Sequence, residues 1–234
     1  MHLPWLSLVL TAAAASAPSL QSPIDLPRFL PVQPNQANVS LSFGAAPGVV
    51  VFDTTTVRTF WTSGAMTLND HAFAMVQFHH HAPSEHKIGG RSFPFELHFV
   101  HVDDGGANAV LAILFDVGDE PSPFLDQLLR PLHPLGQCSL PLHAPGDTFT
   151  IPHLDATLLQ FDQSNLYRYT GSLTTAPFTE GVEWAVLDSV ATISPAQLAA
   201  FRAVVYPDNA RPTQPRHGRD ITLVGARCYT MAWA

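Results

Sequence analysis

Apolar residues in this chain fall at every second position, or in short unbroken runs, more often than at the three-and-four spacing of a helix. Segments 48–52, 74–81, 95–102, 109–117, 148–151, 183–187 and 221–224 all read this way, and each has strand length. Two stretches carry helix-start signals instead. Ser122-Pro123 precedes FLDQLLR, and Ser194 with Gln197 fits a capping box that has Pro195 at the first helical position. The pattern predicts a mixed but strand-dominated α+β fold in a single domain, with short helices at its periphery. No repeat, heptad run, low-complexity tract or Gly/Ser linker divides the chain.

Strand parity sorts the polar residues inside these segments. In VQFHHH, Gln77, His79 and His81 share one face while Val76, Phe78 and His80 share the other. The triple histidine is therefore an H-x-H pair. In FELHFV, Phe95, Leu97 and Phe99 form an apolar face, with Glu96, His98 and Val100 opposite. The intervening APSEHKIGGRS holds proline, Gly-Gly and serine, which predicts a reversal laying the second strand antiparallel beside the first. His79, His81 and His98 then converge. Three neutral imidazoles on rigid strands supply three corners of a tetrahedron and leave the fourth for solvent, which is the pattern of catalytic rather than structural zinc. Gln77 and Glu96, each two residues before a histidine on its own face, are acceptors placed for the second ring nitrogen. A cupin offers another reading of His79-x-His81-x-x-x-Glu85 with a later His98. That motif usually carries glycine where this chain has Phe73, and it requires Glu85 as a ligand.

Composition narrows the function classes. The 234 residues are 46% hydrophobic and 13% charged, with 21 prolines and a formal charge of −8. An acidic chain lacks the basic surface that a nucleic-acid partner demands. The opening MHLPWLSLVLTAAAASA is apolar and ends in Ala15-Ser16-Ala17, which predicts a signal peptide over 1–17, an exported protein, and a catalytic domain over 18–234. No other run is apolar enough for the ~20 residues of a membrane helix. Cys138 and Cys228 are compatible with one disulfide or with two thiols. Asn38-Val39-Ser40 is a glycosylation sequon. A phosphate-binding glycine loop, a G-x-S-x-G elbow and an H-E-x-x-H helix are all absent.

QFHHHAPSEH followed by FPFELHFVH resembles the metal-binding core of the alpha-class carbonic anhydrases. QSPI at 21–24, YTGSLTT at 169–175, Trp184 and NARPTQP at 209–215 follow in that family's order. The resemblance implies a large, mostly antiparallel twisted sheet, with zinc on His79, His81 and His98 and with His80 facing away. It implies supporting roles for Gln77, Glu96 and Asn209, and structural ones for His86 and His101. Thr174 and Glu85 are implied to orient the metal-bound solvent. Val100, Val110, Leu173, Thr175 and Trp184 are implied to meet carbon dioxide or bicarbonate. The implied reaction is reversible hydration of carbon dioxide; the other implied possibility is a noncatalytic binding or adhesion protein of the same family.

Two departures stand out. Both halves of the disulfide usual in extracellular members are missing, Phe178 and Thr179 lying near one of them. Thr55 falls where a proton-exporting histidine is usual, which makes His71 the first substitute to consider.

Overall fold

The computed structural model describes residues 19–33, 39–53, 56–129, 144–159, 164–204 and 208–225, together with the backbone of 227–230. The segment 1–17 predicted as a signal peptide, the asparagine of the sequon, Thr55, Cys138 and the side chain of Cys228 lie outside the described residues. Ahead of the histidine cluster come β1 (Asp25–Leu26), β2 (Val32–Gln33), β3 (Ser40–Phe43), β4 (Ala45–Asp53), β5 (Thr56–Phe60) and β6 (Gly64–Leu68). The cluster itself is built on β7 (His71–His81) and β9 (Phe95–Val102), with the short β8 (Lys87–Ile88) between them. After β10 (Asn108–Val117) come helix α1 (Pro123–Leu129), β11 (Thr148–Asp155), β12 (Asn165–Ser172), β13 (Glu180–Leu187) and β14 (Ala191–Ile193). Helix α2 (Pro195–Val204), β15 (Thr222–Gly225) and β16 (Arg227–Thr230) complete the order.

Among the described residues, fourteen strands form one sheet whose main path runs β11-β4-β5-β7-β9-β10-β13-β12-β15-β2, while β1 and β8 pair separately. The path is antiparallel from β11 through β10, and four of the sheet's pairings are parallel, β10 with β13 among them. The sheet is thus mixed and mostly antiparallel, as expected. The APSEHKIGGRS reversal is real: Gly89 and Gly90 take positive φ of 57° and 82°, a conformation open to glycine at little steric cost. It sets His79 directly against His98 on the neighbouring strand.

Strand parity alone misplaces one half of β7. The register of β7 against β9 shifts between Met75 and Gln77, so Val76 is an unpaired extra residue. A bulge of this kind swaps the two faces of a strand. Before it, Phe73 and Met75 point into the main core; after it, Phe78 does so and the odd-numbered Gln77 and His79 turn the other way.

The core behind β7 and β9 is aromatic. Phe78 and Phe99 lie 5.0 Å apart, both face Phe124 of α1, and Phe95 meets Phe201 of α2 at 5.1 Å. Truncating one such ring to alanine costs roughly 3–5 kcal/mol. The helices are short, as the caps predict, but they are not merely peripheral. Gln197 closes the capping box with Ser194, and it also donates to Ser122 O at 2.9 Å and to Asp126 Oδ1 at 2.8 Å, tying α2 to α1 from a buried position.

His101 sits in this apolar region with Nδ1 donating to Phe99 O at 3.0 Å, and burial pulls its pKa down to about 4. A depressed imidazole takes its proton in the unfolded chain first. Its stabilising effect is therefore complete above pH 6.5 and is lost as pH falls from 6.5 towards 4, by up to about 3 kcal/mol. Urea unfolding should show this loss in the wild-type chain and a visibly shallower one in His101→Gln. Equal slopes in the two proteins would refute the assignment.

Candidate metal centre

The site is assembled from strand registry. One rung of the sheet runs Arg58, His79, His98, Ala112 across β5, β7, β9 and β10. A neighbouring rung runs Gln77, Val100, Val110, Trp184, continuing onto β13. A third holds His81 against Glu96. Residues paired across strands leave the sheet on the same side. Three histidines and an apolar wall therefore face one open cavity of about 850 Å³.

Each of the three imidazoles is oriented by a hydrogen bond to one of its nitrogens. His79 Nδ1 donates to Gln77 Oε1 at 3.0 Å, His81 Nδ1 to the Asn209 carbonyl at 3.1 Å, and His98 Nε2 to Glu96 Oε1 at 2.7 Å. These acceptors leave His79 Nε2, His81 Nε2 and His98 Nδ1 with free lone pairs. His81 Nε2 is buried and has no hydrogen-bond partner. Ligating atoms from all three residues lie within 4.8 Å of one another. Burial and the two neighbouring imidazoles push the His79 pKa well below its usual value, which keeps that ring neutral and ready to coordinate. Burial lowers His81 in the same way, while at His98 burial is outweighed by Glu96 and Glu85, which raise its pKa, so zinc would displace a proton there. Three imidazoles with their second nitrogens occupied fit zinc and leave one coordination position open.

The groups behind His98 are buried, Glu96 and His86 completely so. Glu96 accepts His86 Nδ1 at 2.6 Å as well as His98, while its Oε2 accepts the backbone N–H groups of Glu85 and His86 at 2.8 and 2.9 Å. Burial opposes its charge, but His86 and His98 outweigh it and hold the carboxyl well below the ordinary carboxylate range. His86 also meets Tyr169 Oη at 2.6 Å, so it braces Glu96 from behind, in line with a structural role. Asn209 contributes its side chain too, donating to His80 O and accepting from Ala82 N.

His80 faces the opposite side. Its ring stacks on Phe95 with centroids 5.2 Å apart and lies edge-on to Phe201, and burial lowers its pKa to about 3.

The other residues singled out from sequence gather at the same cavity. Val100, Val110, Leu173, Thr174, Thr175 and Trp184 all line it. Trp184 is pinned by Nε1 donating to Ser172 O at 3.0 Å, with its ring 4.9 Å from that of His98. Glu85 lies buried beside His81 and His98. Its Oε1 accepts the Arg211 N–H at 2.8 Å, whereas Oε2 has no hydrogen-bond partner and stands 3.8 Å from His98 Nδ1.

His71 does not belong here. It begins β7, eight residues and roughly 26 Å of extended strand before His79, and it pairs with Asp103 at 2.8 Å.

Parity gave no hint of Arg58, Asp53, Asp208 or Arg211, which also line the cavity. Arg58 becomes visible only once β5 is paired with β7. The loop carrying Thr174 and Thr175 is tied down without a disulfide. Glu180 Oε1 accepts Ser19 Oγ, Leu20 N–H and Gln21 Nε2, and the Arg211 guanidinium holds Gln21 Oε1 and Ser22 O while lying 4.0 Å from the centre of the Phe178 ring.

A three-histidine centre on the face of a large mixed sheet, each ligand backed by an acceptor, defines the alpha-class carbonic anhydrase architecture, and comparison agrees. The profile of the eukaryotic-type carbonic anhydrase family matches residues 10–224, so this chain belongs to that family. It is 34% identical to alpha carbonic anhydrase 4 of Arabidopsis thaliana over 86% of this chain and 73% of that protein. It is likewise 34% identical to the carbonic anhydrase of Pectobacterium atrosepticum over 86% of this chain and 78% of that one. Among solved structures, the alpha-carbonic anhydrase of Thermovibrio ammonificans in complex with sulfanilamide superposes with a TM-score of 0.76 at 35% identity, covering 87% of this chain and 86% of that one. Dioscorin complexed with ascorbate also superposes with a TM-score of 0.76, at 30% identity, covering 88% and 86%.

Proposed function

We propose that this chain is a zinc enzyme that interconverts carbon dioxide with bicarbonate and a proton. The observation that carries the reading is the set of three imidazoles whose second nitrogens are all committed to Gln77, Asn209 and Glu96. His79, His81 and His98 would hold the ion. Zinc at such a site supplies a Lewis acid that brings the pKa of water to about 7, a general reference value taken from carbonic anhydrase itself rather than from this structure.

The remaining work falls to the protein. Val100, Val110 and Trp184 form one continuous apolar rung, suited to carbon dioxide, which offers no strong hydrogen-bonding group. In this reading the Thr174 hydroxyl would donate to Glu85 Oε2, which has no hydrogen-bond partner, and would turn its own lone pairs towards the cavity. Only a group able to donate a proton is then held beside it. Among the described residues lining the cavity, the histidines are the three ligands. No further imidazole there carries the released proton to solvent, so buffer does.

The test is zinc content together with stopped-flow hydration of carbon dioxide, run while a small imidazole buffer is raised. One equivalent of zinc, rapid hydration and a rate that climbs with buffer are expected. Full zinc occupancy without turnover would overturn the enzymatic reading and favour a noncatalytic binding protein.

A further inference from the structure

Arg58 stands directly opposite His79 in the β5–β7 pairing, so its side chain rises from the same face of the sheet, on the wall of the cavity. A guanidinium has five N–H donors and no acceptor. Asp53 Oδ2 takes Nη2 at 3.1 Å, while Nε is buried and has no hydrogen-bond partner. Asp53 is half exposed, and ion pairs of that kind hold their partners weakly. Arg211 also faces the cavity, but its guanidinium is committed to Gln21 Oε1, Ser22 O and the Phe178 ring. Arg58 is therefore the cationic group of this wall with donors to spare.

We propose that Arg58 is an anion seat beside the three-histidine position, taking a small trigonal oxyanion of the carboxylate or bicarbonate type. The choice of bicarbonate as natural occupant rests on the proposed carbon dioxide chemistry; the seat itself does not. A protein of formal charge −8 repels anions at a distance, and Asp53 and Asp208 add negative charge to this cavity. An anion held there needs a local cation. The planar fork of arginine matches two oxygens of a trigonal oxyanion, in a way that a point charge does not. Neutral carbon dioxide gains nothing from it, so the seat discriminates between the two sides of the reaction.

Acetate is the probe. It is titrated by calorimetry into the zinc-loaded chain and into the metal-free chain, the fold of the latter checked by circular dichroism. Arg58→Gln should weaken acetate about tenfold in both forms, with zinc stoichiometry unchanged. Arg58→Lys should restore part of that loss, and Asp53→Ala, which removes both the acceptor of Nη2 and a negative charge from the cavity wall, should tighten binding. Unchanged acetate affinity in Arg58→Gln would overturn the proposal, as would equal losses in Arg58→Gln and Arg58→Lys accompanied by a changed spectrum, since Arg58 would then only support the fold. A zinc-loaded chain that hydrates no carbon dioxide, yet loses acetate on Arg58→Gln, would sink the enzymatic reading and leave the anion seat standing.

Discussion

Replacing His79, His81 or His98 by alanine should strip the chain of zinc and of carbon dioxide hydration, whereas His80→Phe should leave both in place. Loss of a hydrogen bond that merely supports a ligand costs metal affinity about 10–100-fold, and loss of the ligand itself should cost more. A three-ligand site reduced to two no longer supplies the corners of the tetrahedron that hold the ion. His80 lies between His79 and His81 on the same strand, yet its ring packs on Phe95 and Phe201 and its Nε2 has no partner to lose. Phenylalanine reproduces that shape without a buried unpaired nitrogen. Dialysed variants assayed for zinc and for hydration decide the matter. Comparable zinc loss from His80→Phe and His81→Ala would show that the facing of the triple histidine is wrong.

Thr174→Ala should keep its zinc but hydrate carbon dioxide about 100-fold more slowly, the order of effect seen when one preorganised polar contact to a reacting group is deleted. Three separate acceptors hold the ligating rings, and none of them involves Thr174. In the proposed mechanism the hydroxyl serves Glu85 Oε2, the oxygen without a hydrogen-bond partner in a carboxylate otherwise fixed by the Arg211 N–H. Thr174→Ser keeps the hydroxyl and should recover most of the rate. The loss in Thr174→Ala should appear in kcat, since an oriented reacting group matters more at the transition state than in binding. Unaltered kcat in Thr174→Ala, measured at full zinc occupancy, would remove Thr174 from the mechanism.

The sequence by itself determined seven of the strands, β4, β7, β9, β10, β11, β13 and β15, but not β3, β5, β6 or β12; it also determined both helix starts and the three facing histidines, because each of these is local. A period of two is imposed by backbone geometry, a capping box spans four residues, and Gln77 and Glu96 precede their histidines by two positions on the same strand face. Motif resemblance carried Thr174, Glu85, Asn209 and the apolar wall, which parity has no means to reach. Tertiary structure alone decided what depends on pairing between distant segments. The bulge at Val76 turned Met75 into the core although it shares parity with His79. Gln197, legible as half of a cap, was recruited across 75 residues to bind the two helices together. His71, beside the cluster in sequence, was carried to the far end of its strand, while Arg58, unremarkable in VRTF, was brought opposite His79. Strand register is set by the summed packing of a whole sheet face rather than by any one residue, so a short window of sequence holds the direction of each side chain but not its neighbour.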